Sequence, residues 1–207
     1  MEKFVIPDKP FRMIISGRSG CGKTTLMMKL IKPSIEMKRY DEIVIVCPSY
    51  SFDPAYNMIN SHGIRKMKAT VCSKNLIRLL LKVCQIKKKR LIIFDDCMGT
   101  EGINSREFQK LIIMARHLST SIIATTQKVT GMPTTMRTNT EMMIAFKTDN
   151  EQEIKTLYDN FGDKTKKDFK KRFEAIGYQD NAYVKLNGPE IFGSFVLDPK
   201  NVTIKKF

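Results

Sequence analysis

A glycine-rich stretch near the N-terminus restricts what this chain can fold into more than any other feature. The segment GRSGCGKTT (17–25) holds three glycines and one lysine, and it follows directly after the apolar run FRMII (11–15). Glycine adopts backbone conformations that other residues avoid, so the segment predicts a tight turn where a strand stops. We expect a helix to begin inside it and to cover 23–31.

The spacing within this segment matches G-x-x-x-x-G-K-T/S, the phosphate-binding pattern. Converging backbone N–H groups and the positive end of the following helix favour the binding of phosphate oxygens. Lys23 is expected to contact the β- and γ-phosphates, and the Thr24 hydroxyl is expected to bind Mg²⁺. The residues predicted to bind the nucleotide are Gly17, Ser19, Gly20, Cys21, Gly22, Lys23, Thr24 and Thr25.

Two adjacent aspartates end the apolar segment LIIFDD (91–96), and a magnesium nucleotide needs a carboxylate opposite the loop. Asp95 is the predicted acid on the Mg²⁺ side. Asp96 is predicted to orient or deprotonate an attacking water, and the alternative is an aspartate that caps a turn or helix. Gln127 is predicted to sense the γ-phosphate or position water if its strand lies between the loop strand and the Asp95 strand. Otherwise it begins a solvated loop.

Two arginines are candidates for completing the site of a neighbouring subunit, as an arginine finger does. Arg137 precedes the last apolar strand, and Arg116 lies at the end of the helix before Gln127. The helix dipole favours a cation at a helix C-terminus in any case, so we prefer Arg137. If a neighbour's arginine is required, isolated subunits are expected to hydrolyse nucleotide weakly.

Short apolar runs alternate with helical patterns, which predicts an α/β fold. The runs are apolar at successive positions, as is typical of a parallel sheet covered by helices on both faces. Further helices are predicted over 73–86 and 105–117, and Asn104 and Glu107 have capping-box spacing at the start of the second. Residues 53–70 are interpreted as a loop with, at most, a short helix. The five predicted strands are 11–15, 42–46, 91–95, 121–126 and 142–146.

The chain has 207 residues, which predicts one domain with a core over about 11–147 and a small extension over about 151–207. The extension is predicted to contain two polar helices (151–160 and 164–176) and a hairpin that turns at 187–189. No apolar stretch approaches the roughly 20 residues that span a bilayer, and the N-terminus lacks a secretion signal. We therefore expect an intracellular protein without a membrane span. Five cysteines without paired spacing predict free thiols rather than zinc or disulfides.

Lysine and arginine total 36 against 21 acidic residues, a formal net charge of +15. This excess favours a polyanionic partner, although a soluble basic protein with no such partner is the alternative. Three basic clusters are candidates for touching DNA, and the sequence does not choose among them. For the cluster 87–90, stabilisation of a helix end is the favoured explanation of its positive charge. The clusters are KKKR (87–90), IRKMK (64–68) and KTKKDFKKRF (164–173).

Four segments in this order resemble the genome-packaging ATPases of large DNA viruses, the poxvirus-type branch of the FtsK–HerA superfamily. The resemblance covers about 11–147, and the Arg116-His117 pair together with the terminal glutamine makes it more selective than the phosphate loop alone. One departure is Asp96, where glutamate is commoner in the superfamily. The segments are GRSGCGKTT, IIFDDCM, ARHLSTSIIATTQ and PTTMRTN.

The resemblance implies an additional-strand P-loop NTPase of the RecA/FtsK type, a three-layer α/β sandwich around a mainly parallel sheet. It implies an enzyme that uses ATP and Mg²⁺, assembles as a homo-oligomeric ring (pentamer or hexamer) and drives double-stranded DNA into a preformed capsid. A capsid or portal-vertex protein is the implied partner. The infected-cell cytoplasm, the viral factory or the virion is the implied location. Lys23, Thr24, Asp95, Asp96 and Gln127 keep the roles given above.

Two other functions remain open on the sequence. A small nucleotide or nucleoside kinase has a similar length and loop, but it needs no polar sensor strand beside paired acids. Phosphate transfer to a nucleoside monophosphate rather than to water would identify it. In a non-hydrolytic, nucleotide-gated DNA-binding or scaffold protein, replacing Asp96 with asparagine would leave function unchanged.

Overall fold

The computed structural model describes residues 2–3, 6–49, 56, 65–162, 165–176, 181–186, 190–197 and 202–206. Within these ranges, ten strands form one sheet. The strands are β1 (Glu2–Lys3), β2 (Arg12–Ser16), β3 (Glu42–Val46), β4 (Arg65–Ala69), β5 (Arg90–Phe94), β6 (Thr120–Thr126), β7 (Met142–Phe146), β8 (Asn181–Leu186), β9 (Glu190–Leu197) and β10 (Val202–Lys206). Their order across the sheet is β1-β10-β9-β8-β7-β2-β6-β5-β3-β4.

The helices in the described ranges are α1 (Lys23–Glu36), α2 (Lys74–Cys84), α3 (Arg106–Met114), α4 (Thr134–Thr138), α5 (Glu151–Phe161) and α6 (Lys166–Glu174). The cap of α3 is Ser105, whose Oγ accepts the Phe108 N–H at 3.1 Å. The prediction of Asn104 as the cap was wrong by one residue, because the Asn104 amide donates back to Thr100 O at 3.3 Å. None of the helices in the described part combines the length and apolar character that crossing a bilayer requires.

A six-stranded parallel block, β7-β2-β6-β5-β3-β4, forms the central part of the sheet. The five predicted strands are all present in it. The sixth, β4, falls within 53–70, so the prediction of a loop there was wrong for its last part. Three of its five residues are basic, and within the described residues it pairs only with β3 at the edge of the sheet, so it lacks the apolar run of a central strand.

Helices cover both faces of the parallel block, as expected for a three-layer sandwich. Along β2, Ile14 faces one side, while Met13 and Ile15 face the other. The Met13 side packs against α1, and the Ile14 side packs against α2, α3, α5 and α6. Complete burial of a large apolar side chain such as Phe108 contributes about 1.5–3 kcal/mol to stability.

The C-terminal extension continues the same sheet. The predicted hairpin is present as the antiparallel pair β8–β9, and β8 pairs antiparallel with β7. Its turn at 187–189 lies outside the described residues. The Lys147 ammonium, just after β7, donates to Phe173 O at 3.2 Å and to Glu174 O at 2.8 Å. These bonds attach the end of α6 to the end of β7.

The basic cluster 87–90 contributes to the fold at the N-terminal edge of the parallel strands. Lys88 and Arg90 bind the buried Glu42 at 3.0 and 2.7 Å. α2 ends at Cys84, and Arg90 also donates to Ile86 O at 2.6 Å in the turn that follows, so the cluster binds Glu42 as well as the end of this helical segment. Arg90 is 1% exposed, so it is not available to DNA.

Candidate nucleotide-binding site

The phosphate loop connects β2 to α1, and its glycines are needed for its shape. Gly20 and Gly22 have φ angles of 74° and 91°, which side-chain-bearing residues rarely adopt. A Cβ atom on Gly17 would lie 2.7 Å from Cys21 Sγ and 2.8 Å from Phe146 Cβ. Gly22 caps α1 without a side-chain bond, and the first turn of α1 contains no acidic residue. The start of α1 therefore suits an anion.

Lys23 is buried in this loop, and its ammonium donates to Gly17 O at 2.8 Å and to Arg18 O at 3.0 Å. Among the described residues, no carboxylate pairs with it. A buried cation held only by carbonyl oxygens fits a site that accepts phosphate. The other predicted loop residues surround it: Ser19, Gly20, Gly22 and Thr25 are exposed, and Cys21 is half-buried.

Thr24 and Asp95 are brought together by the fold. The Thr24 hydroxyl donates to Asp95 Oδ2 at 3.0 Å, and Asp95 follows the end of β5 directly. Mg²⁺ prefers oxygen ligands and is usually bound by one or two protein groups together with phosphates and water. In the described part of the chain, no group of three or more His, Cys, Asp or Glu residues is arranged to hold a metal by itself. The Thr24–Asp95 pair fits Mg²⁺ that is shared with a nucleotide.

Three further groups hold the Asp95 carboxylate, which is 3% exposed. The Thr125 hydroxyl donates to Oδ1, the Tyr56 hydroxyl donates to Oδ2, and Cys47 Sγ lies 3.8 Å from Oδ2. Burial and then the negative charge of Asp95 raise the pKa of Tyr56 above its ordinary value, so it remains a neutral donor. Sequence reasoning missed Tyr56, because no motif marks it.

Asp96 and Gln127 meet at the same edge of the sheet. Gln127 Nε2 lies 3.3 and 3.2 Å from the Asp96 carboxylate oxygens, and both side chains are exposed. The role predicted for Gln127 requires its strand to lie between the strand before the phosphate loop and the strand before Asp95. The sheet has this order, because β6 lies between β2 and β5. Asp96 has a φ angle of 51°, and its N–H donates to Thr125 Oγ1 at 3.0 Å. Thr125 therefore contacts both acids.

The turn beyond Gln127 is held by a buried carboxylate that the sequence did not indicate. Glu153 on α5 accepts the N–H groups of Val129 at 2.6 Å and Thr130 at 3.3 Å. A cavity of about 260 Å³ lies between this turn, the phosphate loop and the end of β7. The side chain of Glu153 lines it together with Gln127, so α5 shapes the space next to the phosphate loop.

The two candidate arginines lie in different places. Arg137, on α4, donates to Met132 O and, at 3.3 Å, to Thr134 Oγ1. Arg116 lies 2.5 Å from Glu141 Oε1, and Glu141 also binds Arg12 at the start of β2. Because the phosphate loop follows the other end of β2, Arg116 is at the opposite edge of the sheet. The fold does not bring it to the loop of its own chain.

Solved structures share this fold at low sequence identity. The genome packaging NTPase B204 from Sulfolobus turreted icosahedral virus 2, in complex with AMP, matches with a TM-score of 0.72 and 13% identity, over 93% of this chain and 100% of that chain. The pCW3 conjugation coupling protein TcpA with ATPγS matches with a TM-score of 0.66 and 10% identity, over 89% of this chain and 60% of that one. The fold is therefore that of the P-loop NTPases.

Curated relatives match at higher identity over a shorter stretch. The DNA packaging protein OPG160 of monkeypox virus is 31% identical over 147 residues, which cover 66% of this chain and 48% of that protein. Its vaccinia virus (strain Copenhagen) counterpart is also 31% identical over 147 residues, with 53% of that protein covered. The chain thus spans about half the length of the curated relatives it matches. A family model described as "Poxvirus A32 protein" matches residues 2–176, and the chain belongs to this family.

Proposed function

We propose that this chain is an ATP-hydrolysing motor that moves double-stranded viral DNA into a preformed capsid. The observation that carries the proposal is the contact between the Thr24 hydroxyl and Asp95, beside the buried ammonium of Lys23. Asp96 and Gln127 stand at the same edge of the sheet, where a hydrolase needs groups that act on water. Membership of a family whose relatives are named DNA packaging proteins supports the substrate.

Each residue of the loop has a role that follows from its contacts. Lys23 exchanges the carbonyl oxygens of Gly17 and Arg18 for phosphate oxygens, which carry more negative charge. Thr24 and Asp95 are the residues that would hold Mg²⁺. When bound, Mg²⁺ neutralises the charge that develops on the phosphates. Thr125 and Tyr56 keep the Asp95 carboxylate in one orientation by donating to its two oxygens.

Asp96 and Gln127 are the proposed water-handling pair. The Asp96 carboxylate is exposed and accepts the Gln127 amide, so it is within reach of a water molecule from which it could take a proton. The Gln127 amide has a second N–H and a carbonyl with which to orient that water. This pair favours hydrolysis over transfer of phosphate to a nucleoside.

A homo-oligomeric ring, a pentamer or hexamer, is the proposed assembly, and Arg137 is the residue proposed to act on the neighbouring subunit's nucleotide. Within the described residues, its guanidinium donates to carbonyl and hydroxyl oxygens, whereas Arg116 is paired with a carboxylate. Neutral acceptors are exchanged more easily than a charged one. A capsid or portal-vertex protein is the proposed partner, in the infected cell or the virion.

The test is ATP turnover with and without duplex DNA for the wild type and three variants. Lys23→Ala is expected to lose nucleotide binding and turnover, because the phosphates lose their buried cation. Asp96→Asn is expected to bind nucleotide normally but to turn over about 10²- to 10⁴-fold more slowly, the usual contribution of a general base. Lys29→Ala, a half-exposed lysine on the same helix as Lys23, is the control and should match the wild type.

Three results would contradict the proposal. The first is the absence of turnover by the wild type at high protein concentration, with or without DNA. The second is transfer of phosphate to a nucleoside monophosphate rather than to water, which identifies a kinase. The third is an Asp96→Asn variant with wild-type function, which fits a non-hydrolytic, nucleotide-gated protein.

A further inference from the structure

The neighbouring helices α2 and α3 carry five basic residues and one acidic residue. Three basic residues lie on α2 and two on α3, and the one carboxylate belongs to Glu107. The core-facing side of α2 is formed by Ile77, Leu80 and Cys84. We use the term α2–α3 surface for the cations Lys74, Arg78, Lys82, Arg106 and Lys110.

The cations of the α2–α3 surface form two rows. Lys74, Arg78 and Lys82 repeat every fourth residue, so they lie along one side of α2 over about 12 Å of helix axis. Arg106 and Lys110 have the same spacing on α3. Glu107 binds Arg78 at 2.9 Å and Lys74 at 3.8 Å, which fixes the two helices side by side.

Three of these cations have no acidic partner in the described part of the chain. Lys82, Arg106 and Lys110 are exposed and form no ion pair there. A duplex presents one negative charge per about 1.7 Å of its axis, or about seven along the length of the α2 row. We propose that double-stranded DNA lies on the α2–α3 surface, an inference that rests on the proposed function and names the face that grips the substrate.

Two other basic regions of the described chain contain more acidic residues. α6 carries five basic residues and the acids Asp168 and Glu174, and Lys170 pairs with Glu151 on the neighbouring α5 at 2.8 Å. At the N-terminal edge of the parallel strands, Glu42 and Glu141 each bind two cations. Together α5 and α6 carry six basic and five acidic residues, whereas α2 and α3 carry five and one, so α2 and α3 have the larger net positive charge.

The α2–α3 surface is also joined to the catalytic edge of the sheet. The segment 97–105 leads from Asp96 directly into α3, and the Gly102 N–H donates to Cys72 O at 3.0 Å. Cys72 lies next to Ser73, the cap of α2. One segment thus connects Asp96, the acid proposed to act on water, to the beginnings of both helices.

An interface between protein chains is the competing use of this surface. Leu79 and Ile113 are exposed apolar side chains on the same two helices. Lysine, however, is depleted in protein–protein interfaces, and three of the five cations are lysines. The charge complementarity favours a nucleic acid, and the experiment below separates the two.

The experiment measures binding of a fluorescein-labelled DNA duplex by anisotropy between about 50 and 200 mM salt, the range over which phosphate contacts are lost. Two triple alanine variants are compared. The residues replaced are Lys82, Arg106 and Lys110 in the test variant, and Lys166, Lys167 and Lys171 on α6 in the control. Both remove three exposed positive charges, so a difference between them reports the location of the contact rather than the net charge.

In the test variant, the slope of log affinity against log salt is expected to fall by about 2.7, which is 0.9 for each lost phosphate contact. At about 0.1 M salt this corresponds to a loss of two to three orders of magnitude in affinity. ATP turnover without DNA should remain at the wild-type value in both variants. A single Arg106→Ala variant should lower the slope by about 0.9 if the triple variant folds poorly.

Three outcomes would overturn the inference. If the slope of log affinity against log salt falls in the α6 control and is unchanged in the test variant, DNA lies elsewhere, and the proposed function still stands. If the test variant binds DNA normally but its native mass falls, the α2–α3 surface is an interface between subunits. If the wild type binds no duplex DNA at all, the proposed function fails together with this inference.

Discussion

Replacing Thr125 with valine tests whether one hydroxyl group holds both acids of the site. Valine has nearly the same shape, and Thr125 is completely buried on β6, so packing is largely kept. The change removes the donor to Asp95 Oδ1 and the acceptor of the Asp96 N–H at 3.0 Å. Both losses occur without opening a cavity.

The magnitude follows from these two bonds. A hydrogen bond to a charged carboxylate contributes about 1.5–3 kcal/mol to stability, and the Asp96 N–H, which is near solvent, adds about 1 kcal/mol. Asp95 keeps its hydrogen bonds from the Thr24 and Tyr56 hydroxyls, so the buried carboxylate is not left without donors. We expect a loss of about 3 kcal/mol, which at about 2 kcal/mol per M lowers the urea midpoint by about 1.5 M.

Thr120→Val is the matched control for this experiment. Thr120 is also completely buried on β6, but its hydroxyl donates to the neutral Leu118 O at 2.9 Å, at the other end of the strand. It should cost about 1 kcal/mol and leave ATP turnover unchanged. The Thr125 variant should lose both stability and turnover. Equal urea midpoints for the two variants, or normal turnover by Thr125→Val, would refute the reasoning.

Two further predictions concern the loss of stability at low pH and the phosphate loop. Burial raises the pKa of Glu42, but bonds and charges from Lys88 and Arg90 outweigh it and lower the pKa below its ordinary value. The stability that Glu42 contributes is therefore present above about pH 4.5 and lost as pH falls further, so Glu42→Gln should flatten the acid part of a urea-midpoint-against-pH curve. In calorimetric titrations, Gly17→Ala should abolish ATP binding, because its Cβ would lie 2.7 and 2.8 Å from two side chains. Gly20→Ala, which meets open space but has a φ of 74°, should weaken binding less.

The phosphate loop, the acids and the central strands were predictable because each leaves a local mark in the sequence. A strand covered on both faces is apolar at successive positions, and the polar residues that end it stand out. That contrast made Asp95 and Gln127 candidate site residues and led to the expectation that their strands are close. The β2-β6-β5 order puts both at one edge, as the prediction required.

The features that the sequence did not reveal depend on contacts between distant residues. Tyr56 is 39 positions from Asp95, and Glu153 is 24 positions from Val129, and neither pair has a periodic or motif signal. β4 was missed because an edge strand pairs on one side only and tolerates basic residues. The extension's continuation of the central sheet also depends on a pairing, β7 with β8, that no local pattern encodes.

The left-handed backbone at Asp96 links side-chain length to local conformation. Aspartate and asparagine tolerate a φ of 51° better than longer side chains do, since their short polar groups bond locally. Glutamate at position 96 would be more strained in this left-handed turn after β5. Exchanging Asp96 for glutamate therefore changes the fit of the main chain at this turn as well as the reach of the carboxylate.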